Sequence, residues 1–434
     1  MAILNSFLFL IYDILFFFLL IIYLPIGFFR SKLSFKSLKE KFGFLDYRED
    51  SKTIWIHAVS VGEVNLIGNL LIKLKQTYDC PIIISTTTLT GNRVAKMKYS
   101  QYARIIFLPF DMSFILKKVL NKLNPNIFIS AETEIWPNLF RFLGKYNVPI
   151  VIINGRISDK AYVKYKLIKK LMGKALGNCK AIGVQNIIYK NRFLSLGVNE
   201  DKIFITGNMK FGPLVLDNDR LEEIKKNYLP IFKKNNEMIL ILASTHSPEE
   251  EIILNIYKEL VENNFKITLI IAPRHPERVA SIENIIKSKG FDPVKTSDMI
   301  SLSFGLRKND VFIIDTVGEL LGFLNISDIC FVGGSFSDDG GHNILEPIYF
   351  LKPTLFGPNM DNFKEIEEVV LKEGAALKVS NINEFKKTLE ELIQNEGLRE
   401  VYRKKCLSFI EYGKESSENN FKLISDSLSG NRKK

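Results

Sequence analysis

The chain has 434 residues, of which 46% are hydrophobic and 25% charged, with a net charge of +11. That length predicts two domains of about 150–200 residues each, and the composition excludes a wholly disordered chain. Four dispersed cysteines without a CxxC pair argue against a zinc site or disulfide framework, and the positive surplus favours an anionic partner.

From residue 7 to 29 the single charge is Asp13, and Arg30, Lys32, Lys36, Lys39 and Lys41 follow at once. A secretory leader would place positive charge before the apolar run and a cleavage site after it. The segment 1–29 therefore predicts a single N-terminal membrane anchor, with its basic flank holding the rest of the chain on the cytoplasmic side. A full span takes about 20 apolar residues, and Asp13 is costly at mid-membrane. A helix lying in the membrane plane is the alternative reading.

Short β-branched runs then alternate with amphipathic stretches. Strands are predicted at 53–59, 81–85, 104–108, 126–131, 149–154, 180–184 and 202–205, with helical patterns such as 63–75 and 111–123 between them. This alternation predicts a parallel sheet covered on both faces. A break at 207–216 contains Gly212 and Pro213, and a charged helix starts near Asp217. Further strands are predicted at 238–243, 266–272, 310–314, 328–332 and 353–356. The fold class is α/β: two Rossmann-like domains, 30–212 and 213–434, facing across a cleft. Ligands in such sheets bind beyond the carboxyl ends of the strands.

Those strand ends repeat one pattern, a small or polar residue followed by a charged group and a helix. VSVGE ends at Glu63, a carboxylate in a first helical turn, where the helix dipole favours negative charge. The hydroxyl-rich residues 85–90 suit helix capping or oxyanion binding. AETEIWPN carries Glu132 and Glu134, NGRIS carries Arg156, and GNMKF carries Lys210. In the second half, ASTH precedes PRHPER, with Pro273, Arg274, His275 and Arg278; DTVGEL holds Val317, Gly318 and Glu319. Residues 333–347 supply four glycines before Asn343, Ile344, Leu345 and Glu346, where bare amides at a helix start suit a phosphate. His57 reads as a core histidine, and Asp338-Asp339 as a solvated loop tip. No metal-ligand spacing is present. The lysine-rich stretch 160–180, with no acid in it, suits anionic lipid headgroups.

Taken in order, VSVGE, AETEIWPN, NGRIS, GNMKF, ASTH, PRHPER, DTVGEL and GGHNILEP resemble the 3-deoxy-D-manno-octulosonic acid (Kdo) transferases of Gram-negative bacteria. The resemblance implies the GT-B fold and an inverting, metal-independent transfer of Kdo from CMP-Kdo to the lipid A precursor, lipid IVA, at the cytoplasmic face of the inner membrane. It implies Glu63 as general base, with Glu132 and Lys210 as transition-state stabilisers. It implies CMP binding by Pro273, Arg274, Val317, Gly318, Glu319, Asn343, Ile344, Leu345 and Glu346. Expected partners are CMP-Kdo, lipid IVA and the anionic membrane surface, with no cofactor and no nucleic acid. Three positions depart from the family pattern: Gly155 stands where Ala is usual, Ile344 where Pro is frequent, and Ser337-Asp338-Asp339 where a basic residue is common. The acidic loop is expected to weaken the positive field near the donor. The alternatives are a membrane-associated GT-B transferase using a UDP-sugar and a lipid-linked acceptor, and a membrane-tethered binding module without activity.

Overall fold

The computed structural model describes residues 2–29, 34–212, 214, 216–233, 237–299, 307 and 309–430. Arg30 and Lys32 of the expected basic flank lie outside the described residues, as do Pro213 at the expected domain boundary and the last four residues. The chain forms two compact units, Met1–Gly212 with Tyr412–Lys434, and Pro213–Glu411.

The strands of the first unit are β1 (Thr53–His57), β2 (Ile82–Thr86), β3 (Arg104–Phe107), β4 (Pro125–Ala131), β5 (Ile150–Gly155), β6 (Cys179–Val184) and β7 (Ile203–Ile205). They pair in parallel, in the order β3-β2-β1-β4-β5-β6-β7. All five residues of β1 are buried, as a central strand covered on both faces requires. Successive side chains leave a strand on opposite faces. Trp55 joins one core with Ile83 and Phe128, while Ile54 and Ile56 join the other with Ile82 and Ile127.

The second unit holds β8 (Met238–Thr245), β9 (Ile267–Pro273), β10 (Asp292–Lys295), β11 (Asp310–Ile313), β12 (Ile329–Val332), β13 (Thr354–Phe356) and β14 (Leu377–Lys378). Its parallel order is β10-β11-β9-β8-β12-β13-β14. The sequence reading missed β10 and β14. The first is an edge strand interrupted by Pro293, and the second has two residues. Pro cannot donate to a ladder and so survives at an edge, where it hides the strand pattern.

The N-terminal helix, Ala2–Phe29, is long and apolar enough over Leu8–Gly27 to cross a membrane. One side of it packs on the first unit, burying Phe9 and Leu20 in the core that contains Trp55. Asp13 is not stranded in apolar surroundings. It accepts bonds from the Ser113 amide at 3.0 Å and Asn138 Nδ2 at 2.8 Å, and Tyr12 donates to Asp111 at 2.9 Å. The opposite side exposes Leu10, Ile14, Phe18, Ile21 and Ile22.

The C-terminal segment corrects the expected grouping of 213–434. The helix Glu396–Ser429 begins in the second unit, but residues from Tyr412 onward belong with the first. Leu423 and Ile424 enter the core of Ile54 and Ile56. Asn420 Oδ1 accepts from the Asn154 amide at 3.3 Å and from Thr206 Oγ1 at 3.2 Å. Burying each aliphatic side chain contributes about 1.5–3 kcal/mol, enough to tie the chain end to this sheet.

Candidate active site

Glu63 stands in the first turn of the helix Val61–Leu66, directly after β1. Its Oε2 accepts the Val59 amide at 2.6 Å, just before the N-cap Ser60, so the carboxylate ties the connection after β1 to the helix start. That is only part of its environment. Burial, with smaller contributions from Glu134 and Glu132, pushes its carboxyl up to about 8. The Val59 bond and Lys210 act in the opposite direction.

Glu132 follows β4 with φ +56, a left-handed conformation that costs a non-glycine residue on the order of 1 kcal/mol. Its carboxylate faces two cations, Lys210 Nζ at 3.3 Å and Arg156 Nε at 3.7 Å. Glu134 is half-buried and is raised to about 7, first by desolvation and then by Glu132. The structure therefore gathers Glu63, Glu132 and Lys210 and adds Glu134 and Arg156. The sequence displayed both additions at strand ends, yet nothing local marked them as members of one charged group.

Lys210 owes its position to distant residues. It lies in the 3-10 turn Met209–Phe211, whose Lys210 amide is accepted by Asn208 Oδ1 at 3.0 Å. Asn154 Oδ1 accepts the Met209 amide at 2.9 Å, and Asn154, like Glu132, is left-handed with φ +53. Helix residue Gly413 backs the turn so closely that a Cβ there would stand 1.8 Å from Phe211 O. Glycine is the residue that allows this approach.

The hydroxyl turn after β2 is mostly consumed by the fold. Ser85 Oγ accepts Trp55 Nε1 at 2.8 Å, and Thr88 Oγ1 accepts the Gly91 amide at 3.0 Å as a helix cap. His57 is a fully buried histidine held at Nδ1 by Ser85, and burial lowers it to about 4.

In the second unit, Pro273 ends β9 and Arg274 follows it, Val317, Gly318 and Glu319 follow β11, and Asn343 to Glu346 follow β12. Gly318 has φ +92, and the adjacent Val317 is 88% exposed. Glu319 is engaged by Arg220 and Thr316. Asn343 joins Glu346 at 3.1 Å and accepts the Leu345 amide at 3.2 Å, while burial raises Glu346. Arg278 does not stand free beside Arg274. It forms a two-pronged pair with buried Glu250, at 2.7 and 3.1 Å.

The glycine loop departs from the expected phosphate cradle. The helix behind it, Leu345–Tyr349, has only five residues. The amides of Gly334, Ser335 and Phe336 already bind the carboxylate of Glu249, at 2.7, 3.0 and 2.9 Å, and the His246 amide adds a fourth bond at 2.9 Å. The protein's own carboxylate occupies that nest and ties the ASTH turn to the glycine loop. Asp338 and Asp339 are both exposed, as a solvated loop tip requires, and the Asp339 carboxylate also meets His246 Nδ1 at 3.2 Å and Ser337 Oγ at 2.6 Å. Among the described residues, no group of three or more His, Cys, Asp or Glu side chains is placed to hold a metal ion.

Residues 36–212 match the model of a family described as 3-deoxy-D-manno-octulosonic-acid transferase (kdotransferase). The chain is 34% identical over 367 residues to the 3-deoxy-D-manno-octulosonic acid transferase of Haemophilus influenzae, covering 84% of each protein. It is 36% identical over 363 residues to a bifunctional glycosyltransferase/methyltransferase of Fusobacterium nucleatum subsp. nucleatum; 83% of this chain aligns, but it spans only 55% of that relative. Among solved structures, UDP-GlcNAc 2-epimerase from Neisseria meningitidis bound to UDP-GlcNAc aligns with TM-score 0.53 over 88% of this chain and 100% of that one. At 14% identity that is a likeness of fold, the GT-B arrangement of two Rossmann-like units. With strand-end motifs, sheet order and relatives in agreement, the chain belongs to the 3-deoxy-D-manno-octulosonic acid (Kdo) transferase family.

Proposed function

We propose that the protein moves Kdo from CMP-Kdo to lipid IVA, releasing CMP, in lipopolysaccharide biosynthesis, with inversion at the anomeric carbon. The observation that carries this reading is the grouping of Glu63, Glu132 and Lys210 in one unit of a Kdo transferase family member. A sugar hydroxyl becomes a competent nucleophile when a base takes its proton as attack develops. Glu63 serves as that base, since a carboxylate raised by burial holds a proton more strongly than an ordinary one. Lys210 and Arg156 balance Glu132 and supply positive charge for the Kdo carboxylate. Pro273, Arg274, Val317, Gly318, Glu319, Asn343, Ile344, Leu345 and Glu346 hold CMP, with Arg274 opposing the charge on the leaving phosphate. The reaction uses no metal cofactor.

The protein works at the cytoplasmic face of the inner membrane, with its N-terminal helix in the membrane plane. The bonds of Asp13 and Tyr12 to Ser113, Asn138 and Asp111 support this orientation. A spanning helix would carry those polar groups into hydrocarbon or break their bonds. The outward Leu10, Ile14, Phe18 and Ile21 then enter the interface. The helix Asp159–Leu167 buries no residue and exposes Val163 and Leu167 among lysines, which suits the same surface. The double substitution Phe18→Glu and Ile21→Glu is expected to release the protein from anionic vesicles in sedimentation while keeping its thermal midpoint. Retention on the vesicles would refute the in-plane contact.

Mass spectrometry of lipid IVA after incubation with CMP-Kdo tests the activity; the expected product is heavier by one or more Kdo groups. CMP, and not UDP, is expected to raise the thermal unfolding midpoint, because a ligand of the native state stabilises it. Protection by UDP alone, with unmodified lipid, rejects the proposal in favour of a UDP-sugar transferase.

A further inference from the structure

Three histidines meet in the second unit, and none has a role in the mechanism above. His246 follows β8, His275 lies after β9, and His342 follows Gly340-Gly341. Nε2 of His246 lies 2.8 Å from Nε2 of His342, with ring planes 14° apart. The ring of His275 meets that of His246 edge-on at a centroid distance of 5.5 Å. On its other side, Nδ1 of His246 lies 3.2 Å from Asp339 Oδ2.

Proton counting sets the tautomers. Two nitrogens facing each other at 2.8 Å share one proton, because two N–H groups would repel and two lone pairs would form no bond. The Asp339 carboxylate, 3.2 Å away, favours the tautomer of His246 that carries its proton on Nδ1. Nε2 of His246 is then the acceptor, and Nε2–H of His342 donates to it. The basic nitrogen left over is Nδ1 of His342, since the ring's hydrogen bond to His246 runs through Nε2.

The surroundings disfavour a proton on this nitrogen. Burial lowers His342 to about 4; His246, Arg274 and His275 act in the same direction, and Asp339 opposes them. His246 is also lowered by burial, helped by His275 and Arg278 and opposed by Asp339 and Glu250. Beyond the histidine pair itself, the five groups Arg274, His275, Arg278, Asp339 and Glu250 come from the glycine loop, the segment after β9 and the helix Glu249–Glu262. Arg278 and Glu250 largely cancel through their own pair. Arg274 is left as the cation nearest in effect to His342, and an anion beside it would reverse the local balance.

We propose that Asp339, His246 and His342 form a proton-coupled anion site: a phosphate monoester held beside Arg274 draws one proton onto His342 Nδ1, which donates it as a hydrogen bond to a phosphate oxygen. No covalent bond changes; the proton comes from solvent and returns there when the anion leaves. His342 is a binding group, and His246 and Asp339 are positioning groups that act through it. The inference rests on the reading that this unit binds CMP. It also reverses the expected effect of the acidic loop, because Asp339 orients the pair instead of weakening the field.

Isothermal titration of the full chain with CMP at pH 7.5, in buffers of low and high ionisation enthalpy, measures the proton directly. The wild-type protein is expected to take up about one proton per CMP, with affinity falling up to about tenfold per pH unit as pH rises. His342→Asn is expected to bind about tenfold more weakly with no uptake. Asp339→Asn, which keeps the loop's size and polarity, lowers the uptake, whereas His275→Asn leaves it unchanged. Wild-type binding without buffer-dependent heat overturns the inference and leaves the CMP reading intact, as does undiminished uptake in His342→Asn. Absence of CMP binding at every pH overturns both.

Discussion

Replacing Glu63 with Gln is expected to lower turnover by about 10²–10⁴-fold, the usual worth of a general base, while CMP binding stays within about twofold of wild type. The amide keeps an oxygen for the Val59 N–H, so the helix start survives and the loss reports the missing base. The same assignment predicts a pH profile. Burial pushes Glu63 to about 8, so the ionised form is a minority at pH 7. Activity should therefore rise about tenfold per pH unit below that value and level off above pH 8. Steady-state rates from pH 6 to 9 with saturating CMP-Kdo check it. Near-normal turnover in Glu63→Gln would leave the carboxylate as a helix-start group and nothing more.

The second large effect is expected at Glu249, a residue that no motif singled out. Glu249→Ala removes one carboxylate and strands four amides, those of His246, Gly334, Ser335 and Phe336. A buried donor left without a partner costs about 1–3 kcal/mol, and bonds to a charged group are worth more than neutral ones. Local rearrangement will recover part of the sum, so a loss on the order of 3 kcal/mol is expected for the second unit. Urea unfolding followed with and without CMP reads it: the midpoint falls, and stabilisation by CMP disappears because the glycine loop and the ASTH turn are no longer joined. An unchanged midpoint with full CMP protection would show that the amides find other partners. Glu249→Gln should fall between the two, since an amide offers one acceptor oxygen where the carboxylate offers two.

Both residues show what can be read from a sequence and what cannot. Glu63 was visible because a buried parallel strand is a continuous apolar run, here Thr53–His57, and the first charged group after it is conspicuous. Glu249 was visible only as the first of three glutamates opening a helix, where acidic residues are common for dipole reasons alone. Its four partners lie on two loops, and three of them are 85 to 87 positions away. The same distance hid the support of Lys210. The GNMKF motif marked the residue, but Gly413 and Asn420, which hold its turn and the neighbouring Asn154, lie beyond the entire second sheet.

The sequence by itself determined that the chain makes two α/β units, where most of their strands run, and which charged residues stand at the strand ends. Those features follow from local periodicity, because a strand buried on both faces must be apolar along its length and a charge must wait until the strand ends. The order of its motifs also carried the family. Tertiary structure alone decided that residues 412–430 return to the first sheet, that Asp13 is held by the first unit, and that Glu249 fills the amides of the glycine loop. It also decided the charge state of Glu63, whose rise to about 8 comes first from burial. Desolvation and long-range hydrogen bonds depend on which distant segments cover a group, and no spacing along the chain encodes that.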